Sequence, residues 1–524
     1  MRGFEIVLAL VVAATIVAAL AERWRTPAPS LLVIAGLAIG AIPGVPAVQL
    51  RPEIVAIGVL PPLLYAAAAD VAVSELRSVL GSVSTLAVGL VAASAVAVAF
   101  VAHALFPQLS LAAAFVLGAV LASTDPIAVS ALARRMHLPP RLLALVQGES
   151  LLNDATSLVL FRVAISLATA GAGVSMLGAS WQFVRLGGGG ALVGLGCAYL
   201  VGALRRRIHD PVIETVTALV VPYAIYVAAE AIGTSGVTAV VLAGLYLGER
   251  ERGTDLSSGP TRLQVANVYA VVQFLLESVI FAVIGLELPA VVRRLDGADR
   301  HFVLGALAVV AVVIAVRMLW VYPATYLPHW LHRASGDEVP SWTVPTVISW
   351  AGTRGVVPLA AALSIPLTVA GHPFPHRDLI LVLTTSCILV TLVVQGLTLE
   401  PLVRRLGVTD DLTERARHEA VARHAATRAA LARLDELVDL EAAPEVVAAR
   451  LRSELQQQLD RTRSAQNGAT PDATLAEATY RAIRRDLLAA EAAELLRLRA
   501  QGVISEAARR KVQRSLDIRE TGLG

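Results

Sequence analysis

The stretch Gly148-Glu-Ser-Leu-Leu-Asn-Asp-Ala-Thr156 lies in the middle of a long apolar run. The run is long enough to cross a bilayer as one helix. An ionised carboxylate at the centre of such a helix costs about 2.5 to 3.5 kcal/mol on insertion scales, and both Glu149 and Asp154 carry that cost. On a helix, Ser150 shares a face with Asp154, and Glu149 shares the neighbouring face with Asn153. These oxygen atoms suit a small cation that exchanges its water ligands for protein ligands.

A second motif, Ser123-Thr124-Asp125-Pro126, lies one predicted helix earlier, also inside an apolar run. Pro126 has no N–H and cannot bond back to the carbonyl of Ala122. The residue before a proline is also displaced from helical geometry. We therefore expect a helix broken at Thr124-Asp125-Pro126, with free backbone groups that face the protein interior.

A third motif, Gly352-Thr353-Arg354-Gly355, makes a second weak point in a later apolar run, together with Pro358. Two interrupted helices in corresponding halves of a membrane protein indicate a transport site near the midplane. The charges agree with this prediction. Asp125 can offset the partial positive charge of helix N-termini, and Arg354 can offset the partial negative charge of C-termini.

In order, spacing and apolar setting, the three motifs resemble those of the cation–proton antiporters of the sodium/proton exchanger (NhaP-like) family, over roughly residues 1–405. The Asn153-Asp154 pair is similar to the Asn-Asp pair of that family. The resemblance implies an all-α polytopic membrane protein with inverted repeats and two broken crossing helices. It also implies a homodimer, in which spans 4–6 and 11–13 form a core that moves against a scaffold.

The resemblance implies a site as well. Asp154, Asp125 and Asn153 would bind the cation or the proton, and Thr124 and Ser150 match oxygen ligands of the family's ion site. Burial favours the neutral form of a carboxyl group, whereas a cation beside it favours the ionised form. We predict that Na⁺ or K⁺ competes with protons at Asp154, in a secondary antiporter that needs no cofactor and is not an enzyme.

Arg354 needs a carboxylate partner, and Glu149 is the best candidate; the resemblance implies the same pair, which would hold the site rather than bind the ion. Pro126, Gly352 and Gly355 would mark the helix breaks. Electrogenic relatives carry a second aspartate where this chain has the neutral Asn153. The resemblance therefore implies exchange of one cation for one proton without net charge movement, as in pH homeostasis.

One position departs from the family pattern. Many relatives have an acid four residues after a Pro-Pro pair in the third span, and here Pro61-Pro62 is followed by Ala66 at that position. The first acid is Asp70, one helical turn later and nearer the membrane surface. A ligand or gate that relatives supply there is absent, so the choice between sodium and potassium stays open.

Composition excludes several other classes of function. The chain has 524 residues, of which 56% are hydrophobic, and a mean hydropathy of +0.67, which is not typical of a soluble protein. The net charge of +3 gives no reason to expect nucleic acid as a partner. No nucleotide-binding motif supports a pump that is driven by ATP.

Apolar runs of span length predict about 13 transmembrane helices in the plasma membrane, where lipid surrounds them. Clusters of arginine fall mostly on one side, which the positive-inside bias places in the cytoplasm together with the C-terminus, leaving the N-terminus outside. The approximate spans are 4–21, 30–47, 53–69, 79–106, 110–133, 142–170, 180–204, 212–232, 235–249, 265–288, 302–326, 342–366 and 378–402.

The membrane domain is expected to cover residues 1–406, and residues 407–524 are rich in Ala, Leu, Arg and Glu without a run of span length. Leucines at helical spacing predict amphipathic helices in this C-terminal segment, which we expect to be a cytoplasmic tail. A solvated extension and a module for regulation or dimerisation, with a ligand or protein partner, both stay open.

Three further charges lie in predicted spans. Arg162 and Glu277 are expected to form a structural ion pair. Arg317 is close to Trp320 and Tyr322 and is expected to be an anchor at the membrane interface.

Two other functions make different predictions. A cation- or pH-sensing receptor that signals through the tail would bind cations without dissipating a proton gradient. An intramembrane aspartyl protease would also place two aspartates in adjacent spans, but Asp125 and Asp154 lack the Tyr-Asp and Gly-x-Gly-Asp patterns that such proteases resemble.

Overall fold

The computed structural model of the chain consists almost entirely of helices and divides into two compact units, Met1–Thr409 and Asp410–Gly524. More than half of the predicted first span, residues 4–21, lies outside the described residues. The structure describes residues 28–42, 52–136, 138–170, 176–208, 210–252, 259–294, 302–331, 341–369, 372–408, 412–439, 445–466, 490–498 and 506–521, with isolated positions in 12–23 and 483–503.

The first unit is a bundle of apolar helices with one short hairpin of two strands. The helices are α1 (Ala28–Gly40), α2 (Pro52–Gly58), α3 (Leu60–Asp70), α4 (Val73–Leu105), α5 (Leu111–Ala122), α6 (Ile127–Met136), α7 (Pro140–Ala170), α8 (Met176–Arg205), α9 (Pro211–Ala231), α10 (Gly236–Arg252), α11 (Gly259–Arg294), α12 (Phe302–Leu331), α13 (Thr343–Trp350), α14 (Val356–Leu363) and α15 (Arg377–Leu406). The strands are β1 (Thr368–Val369) and β2 (His372–Pro373), which pair antiparallel.

Eight helical segments of the described residues are long and apolar enough to cross a membrane, and α1 and α5 supply shorter apolar helices. This confirms a helical membrane protein with several spans. The predicted spans in the described residues coincide with helices or with pairs of helices joined by a break. Two continuous spans also contain a turn of π-helix, at Thr85–Leu90 in α4 and at Thr391–Gln395 in α15.

Two groups of helices can be distinguished by their most extensive contacts, and the groups also contact each other, as α7 does with α8 and α11 with α15. In one group, called the core below, α4 packs on α5 and α12, and α7 packs on α5; it comprises α4–α7 and α12–α15. In the other, called the scaffold, α1 packs on α11, and α10 packs on α3 and α8. At one of the close scaffold contacts Gly36 of α1 lies against Gly285 of α11, where an added Cβ on either residue would overlap the facing backbone. Small residues allow such close approach between membrane helices.

The second unit contains α16 (Leu412–Asp439), α17 (Glu445–Gln466) and α18 (Glu506–Thr521). Helices α16 and α17 pack together, and Arg452 of α17 forms a salt bridge of 2.5 Å with Asp435 of α16. The described tail is therefore helical.

Candidate cation and proton site

The two predicted helix breaks meet each other. Helix α5 ends at Ala122, and Ser123 is already extended, with φ −67° and ψ 144°. Between α13 and α14 the chain is likewise non-helical. The Asp125 N–H donates to the carbonyl of Thr353 at 2.8 Å, and the Thr353 hydroxyl donates to the carbonyl of Asp125 at 2.9 Å. Each break thus satisfies backbone groups of the other, as non-helical chain requires at this depth.

The carboxylate of Asp125 lies against the backbone of Gly355, where an added Cβ would overlap it. Gly355 is the residue that immediately precedes α14. A helix N-terminus carries a partial positive charge, so a carboxylate is favourable there. Gly355 is therefore required as a glycine because the acid occupies the space of a side chain.

Arg354 lies at the opposite kind of helix end. Its Nη1 donates to the carbonyls of Ala122 at 3.2 Å and Ser123 at 2.6 Å, which are left without helical partners where α5 ends. The positive guanidinium group thus offsets the partial negative charge of that C-terminus.

The predicted pair of Glu149 with Arg354 is wrong, because the partner of Glu149 is Arg317. Arg317 Nη1 donates to Glu149 Oε1, and Nη2 donates to Oε2 at 2.9 Å. The Nε and Nη2 atoms also donate to the carbonyl of Ile348, at 3.1 and 3.0 Å, near the C-terminal end of α13. Arg354 is directed to the end of α5 instead.

The prediction of Arg317 as an interfacial anchor is also wrong. Arg317 is only 2% exposed, and it lies in the middle of α12, too deep for its head to reach the membrane surface. An added Cβ at Gly352 would meet its Cδ at 2.5 Å, so the glycine of the second break makes room for the arginine. The sequence already indicated a buried arginine, because Arg317 lies well inside its predicted span, 302–326.

Helix α7 is tied to the first break by side chains. The Asn153 amide donates from Nδ2 to Thr124 Oγ1 at 2.6 Å, and the Thr124 N–H donates to Asn153 Oδ1 at 3.4 Å. The Ser150 hydroxyl donates to the carbonyl of Thr124 at 2.7 Å. The Ser123 hydroxyl donates to Asp154 Oδ1. The structure therefore brings Thr124, Ser150, Asn153 and Asp154 together and adds Ser123, which sequence reasoning did not select.

A cavity of about 250 Å³ opens beside these residues. The core contributes Thr124, Asp125, Ser150 and Asp154 to its lining. The scaffold lines it from α3 and α11, with the polar residues Asp70, Gln273 and Glu277. Ala66, the residue at which this chain departs from the family pattern of an acid, is buried.

The predicted ion pair of Arg162 with Glu277 is wrong. Arg162 donates to both carboxylate oxygens of Glu230, at 2.8 and 2.5 Å. Glu230 also accepts from the N–H of Gly236 at 2.9 Å, so it joins α7 to the turn between α9 and α10. Glu277 faces the cavity instead.

Comparison with known proteins agrees with this geometry. The family model described as sodium/hydrogen exchanger, transmembrane, matches residues 8–405. An uncharacterised Na⁺/H⁺ exchanger of Mycobacterium tuberculosis is 35% identical over 530 residues, covering 99% of this chain and 96% of its own. The Na⁺/H⁺ antiporter ApNhaP of Aphanothece halophytica is 33% identical and covers 78% of this chain and 76% of its own.

Further matches are a relative in Bacillus and a solved structure. The sodium, potassium, lithium and rubidium/H⁺ antiporter of Bacillus pumilus is 32% identical, over 71% of this chain and 57% of its own. The sodium proton antiporter MjNhaP1 of Methanocaldococcus jannaschii has the same fold, with a TM-score of 0.63 at 21% identity, over 78% of this chain and 99% of that one. The chain therefore belongs to the sodium/hydrogen exchanger family and is an NhaP-like cation–proton antiporter, a secondary transporter rather than an enzyme.

Proposed function

We propose that this antiporter exchanges Na⁺ or K⁺ for H⁺ by competition of the two ions at Asp154, without net charge movement. The observation that carries the proposal is the position of Asp154. Its carboxylate lies beside the crossing of two broken helices and lines a cavity that an ion can enter. Discontinuous helices with a carboxylate between them are the usual setting of ion sites in secondary transporters.

Competition follows from the surroundings of the acid. Burial penalises a bare carboxylate, whereas a proton or a cation removes the penalty. Asp125, Thr124 and Ser150 line the same cavity and offer oxygen atoms to a cation that has lost part of its water. When Asp154 holds neither ion, a moving core carries a bare charge through the membrane, which is unfavourable. This coupling distinguishes an exchanger from a leak.

The buried charges of the core support exchange of one ion for one proton. Three carboxylates (Asp125, Glu149 and Asp154) face two guanidinium groups (Arg317 and Arg354), which leaves one negative charge when every group is ionised. One proton or one monovalent cation brings this sum to zero. The core is therefore electrically neutral when it holds either the proton or the cation.

The residues at the cavity indicate the side of the membrane to which it opens. Asp70 lines it and is the last residue of α3, and the carbonyl of the preceding Ala69 accepts from Arg252 Nη2 at 2.5 Å. Arg252 belongs to one of the arginine clusters that predict the cytoplasmic side. On this basis the cavity opens to the cytoplasm, with the N-terminus outside and the tail inside.

One finer part of the proposal, a homodimer formed through the scaffold, comes from the family resemblance. Another, drawn from the amphipathic helices of the tail, is that the tail is a module for regulation or dimerisation. The choice of ion is between Na⁺ and K⁺. The relatives are named as exchangers of sodium alone or of several alkali ions, and their names give the receptor alternative no support.

The test is proton flux in proteoliposomes with an imposed pH gradient. Addition of Na⁺, K⁺ or Li⁺ should dissipate the gradient, and the ion that does so at the lowest concentration is the substrate. Asp154→Asn should abolish the flux, whereas Asp439→Asn, which neutralises an exposed acid of the tail, should leave it unchanged. A potential imposed with valinomycin should not alter Na⁺-driven exchange.

Two results would contradict the proposal. If no alkali cation dissipates the gradient with folded wild-type protein, exchange is not the function. If the rate follows the imposed potential, net charge moves and the sum of buried charges is not the one given above.

A further inference from the structure

The cavity beside Asp154 has acids on both of its walls. Asp125 and Asp154 lie on the core side, and Asp70 and Glu277 lie on the scaffold side. Among the described residues that line the cavity there is no arginine, lysine or histidine. Four carboxyl groups around one water-accessible space attract cations and exclude anions.

Glu277 is the deep acid of the scaffold wall. It is the central residue of the apolar span Thr261–Arg293, with sixteen residues of the span on either side. This places it at the depth where a carboxylate is most costly in a bilayer. Gln273 is four residues earlier in α11, on the same face, and lines the same cavity.

Glu277 also differs from other acids of the membrane unit in its surroundings. Glu149 is paired with Arg317, and Glu230 is paired with Arg162. Within the part of the chain that the structure describes, the carboxyl group of Glu277 has no hydrogen bond or salt bridge. The charged group that acts on it is another acid, Asp125. A cation between the two would replace this repulsion by two attractions.

We propose that Glu277 is a further binding residue for the transported cation, contributed by the scaffold. The ion held at Asp154 and Asp125 is attracted by Glu277, and by the Gln273 carbonyl, from the opposite wall, directly or through water. The cavity is large enough to hold several water molecules. This inference rests on the proposed function and adds to it a residue outside the core.

Glu277 and the two aspartates lie on different groups of helices. Asp154 and Asp125 belong to the core, whereas Glu277 belongs to α11, which packs on α1. When the core moves relative to the scaffold, the ion leaves Glu277 but keeps its core ligands. Glu277 therefore strengthens binding only while the cavity is open to this side, which makes it a determinant of affinity on one face of the membrane.

The experiment compares full-length variants in proteoliposomes at one pH. Glu277→Gln should raise the apparent KM for the transported cation about tenfold, which corresponds to about 1.4 kcal/mol, with the maximal rate within about twofold. Glu277→Asp keeps the charge and should stay within about threefold of the wild-type KM. Glu249→Gln removes an acid that is not among the described lining residues and serves as the matched control.

A compensating double variant distinguishes the loss of the negative charge from a loss of packing at residue 277. Gln273→Glu combined with Glu277→Gln moves the acid by one turn along the same face of α11. It should recover at least part of the lost affinity. A loss of packing at residue 277 would not be repaired by a new charge at residue 273.

A binding measurement covers the case in which Glu277→Gln transports poorly. Salt titrations of the thermal unfolding midpoint in detergent, with NaCl and KCl, report cation binding without flux. The half-saturating concentration should rise about tenfold in the variant and not in Glu249→Gln. Choline chloride is the control for ionic strength.

The outcomes separate the two proposals. Wild-type exchange with an unchanged KM and an unchanged salt titration in Glu277→Gln overturns the role of Glu277 and leaves the proposed function intact. Failure of wild-type protein to exchange any alkali cation overturns the proposed function itself.

Discussion

The Asp125 carboxylate occupies the space that a side chain at Gly355 would need. The two residues are brought together by the hydrogen bonds between Asp125 and Thr353, two residues away from the glycine. The acid is therefore positioned by the backbone and the hydroxyl group of Thr353, in the other helix break. Its place at the start of α14 depends on a residue with no side chain.

Gly355→Ala should abolish exchange, because the new methyl group must displace the carboxylate or separate the two breaks. We expect a loss of about 1 to 3 kcal/mol in stability, as for other overpacked sites. Flux and thermal unfolding in detergent measure the two effects. Gly196→Ala in α8 is the matched control, since an added Cβ meets nothing within 4 Å there; equal effects of both variants would contradict the assignment.

Arg317→Met should destabilise the membrane unit by about 3 to 5 kcal/mol, because it leaves Glu149 buried without its partner. Arg317→Met with Glu149→Gln should recover part of this loss, although the carbonyl of Ile348 still lacks its donors. Thermal unfolding is the measurement. Arg404→Met is the control, because it breaks an exposed pair with Glu400 and should cost less than about 1 kcal/mol of stability. A loss of stability in Arg317→Met no larger than in this control would contradict the buried pair.

Ser123→Ala should raise the apparent KM for the cation by about tenfold or more. The hydroxyl donates to Asp154 Oδ1, and a hydrogen bond to a charged group contributes about 1.5 to 3 kcal/mol. Without it, protons compete better with the cation. Ser157→Ala is the control in α7, the helix of Asp154, because among the described residues that buried hydroxyl donates to the carbonyl of Asp154, at 3.1 Å, and not to its carboxylate. An unchanged KM in Ser123→Ala would show that the serine does not support the site.

Arg162→Leu with Glu230→Leu should leave the KM for the cation within about twofold of wild type. Neither residue is among the described residues that line the cavity, and their pair joins helices outside the ion site. Either single substitution should be less stable than the double one, since it leaves one charge unpaired. A changed KM in a well-folded double variant would mean that the pair influences the ion site after all.

The breaks were predictable because their causes are local. Pro126 removes an N–H, and the glycines around Arg354 weaken a helix, so both interruptions can be located from the sequence alone. The shared face of Ser150 and Asp154 follows in the same way from helical spacing. The span limits follow from the apolar runs, which a bilayer requires to be of a certain length.

The partners of the buried charges were not predictable, because they depend on which helices meet. Glu149 and Arg317 are 168 residues apart, and nothing in the local sequence of either indicates the other. The position of Arg162 and Glu277 in predicted spans favours a pair between them, whereas the partner of Arg162 is Glu230 near the end of α9. The spacing of residues within one helix predicts which side chains share a face of that helix. Which side chains of different helices become neighbours depends on how the helices pack, and the sequence of one helix does not show this.

The long separations within the site have a consequence for how the protein is made. At about 5 to 20 residues per second, the 168 residues from Glu149 to Arg317 take roughly 8 to 34 seconds to synthesise. During that time α7 enters the bilayer with a carboxyl group whose partner does not yet exist. Thr353 and Arg354, which complete the crossing, emerge later still. The ion site is thus among the last features of the membrane unit to assemble, and a nascent chain that stops before Arg317 presents quality-control proteases with an uncompensated acid inside the membrane.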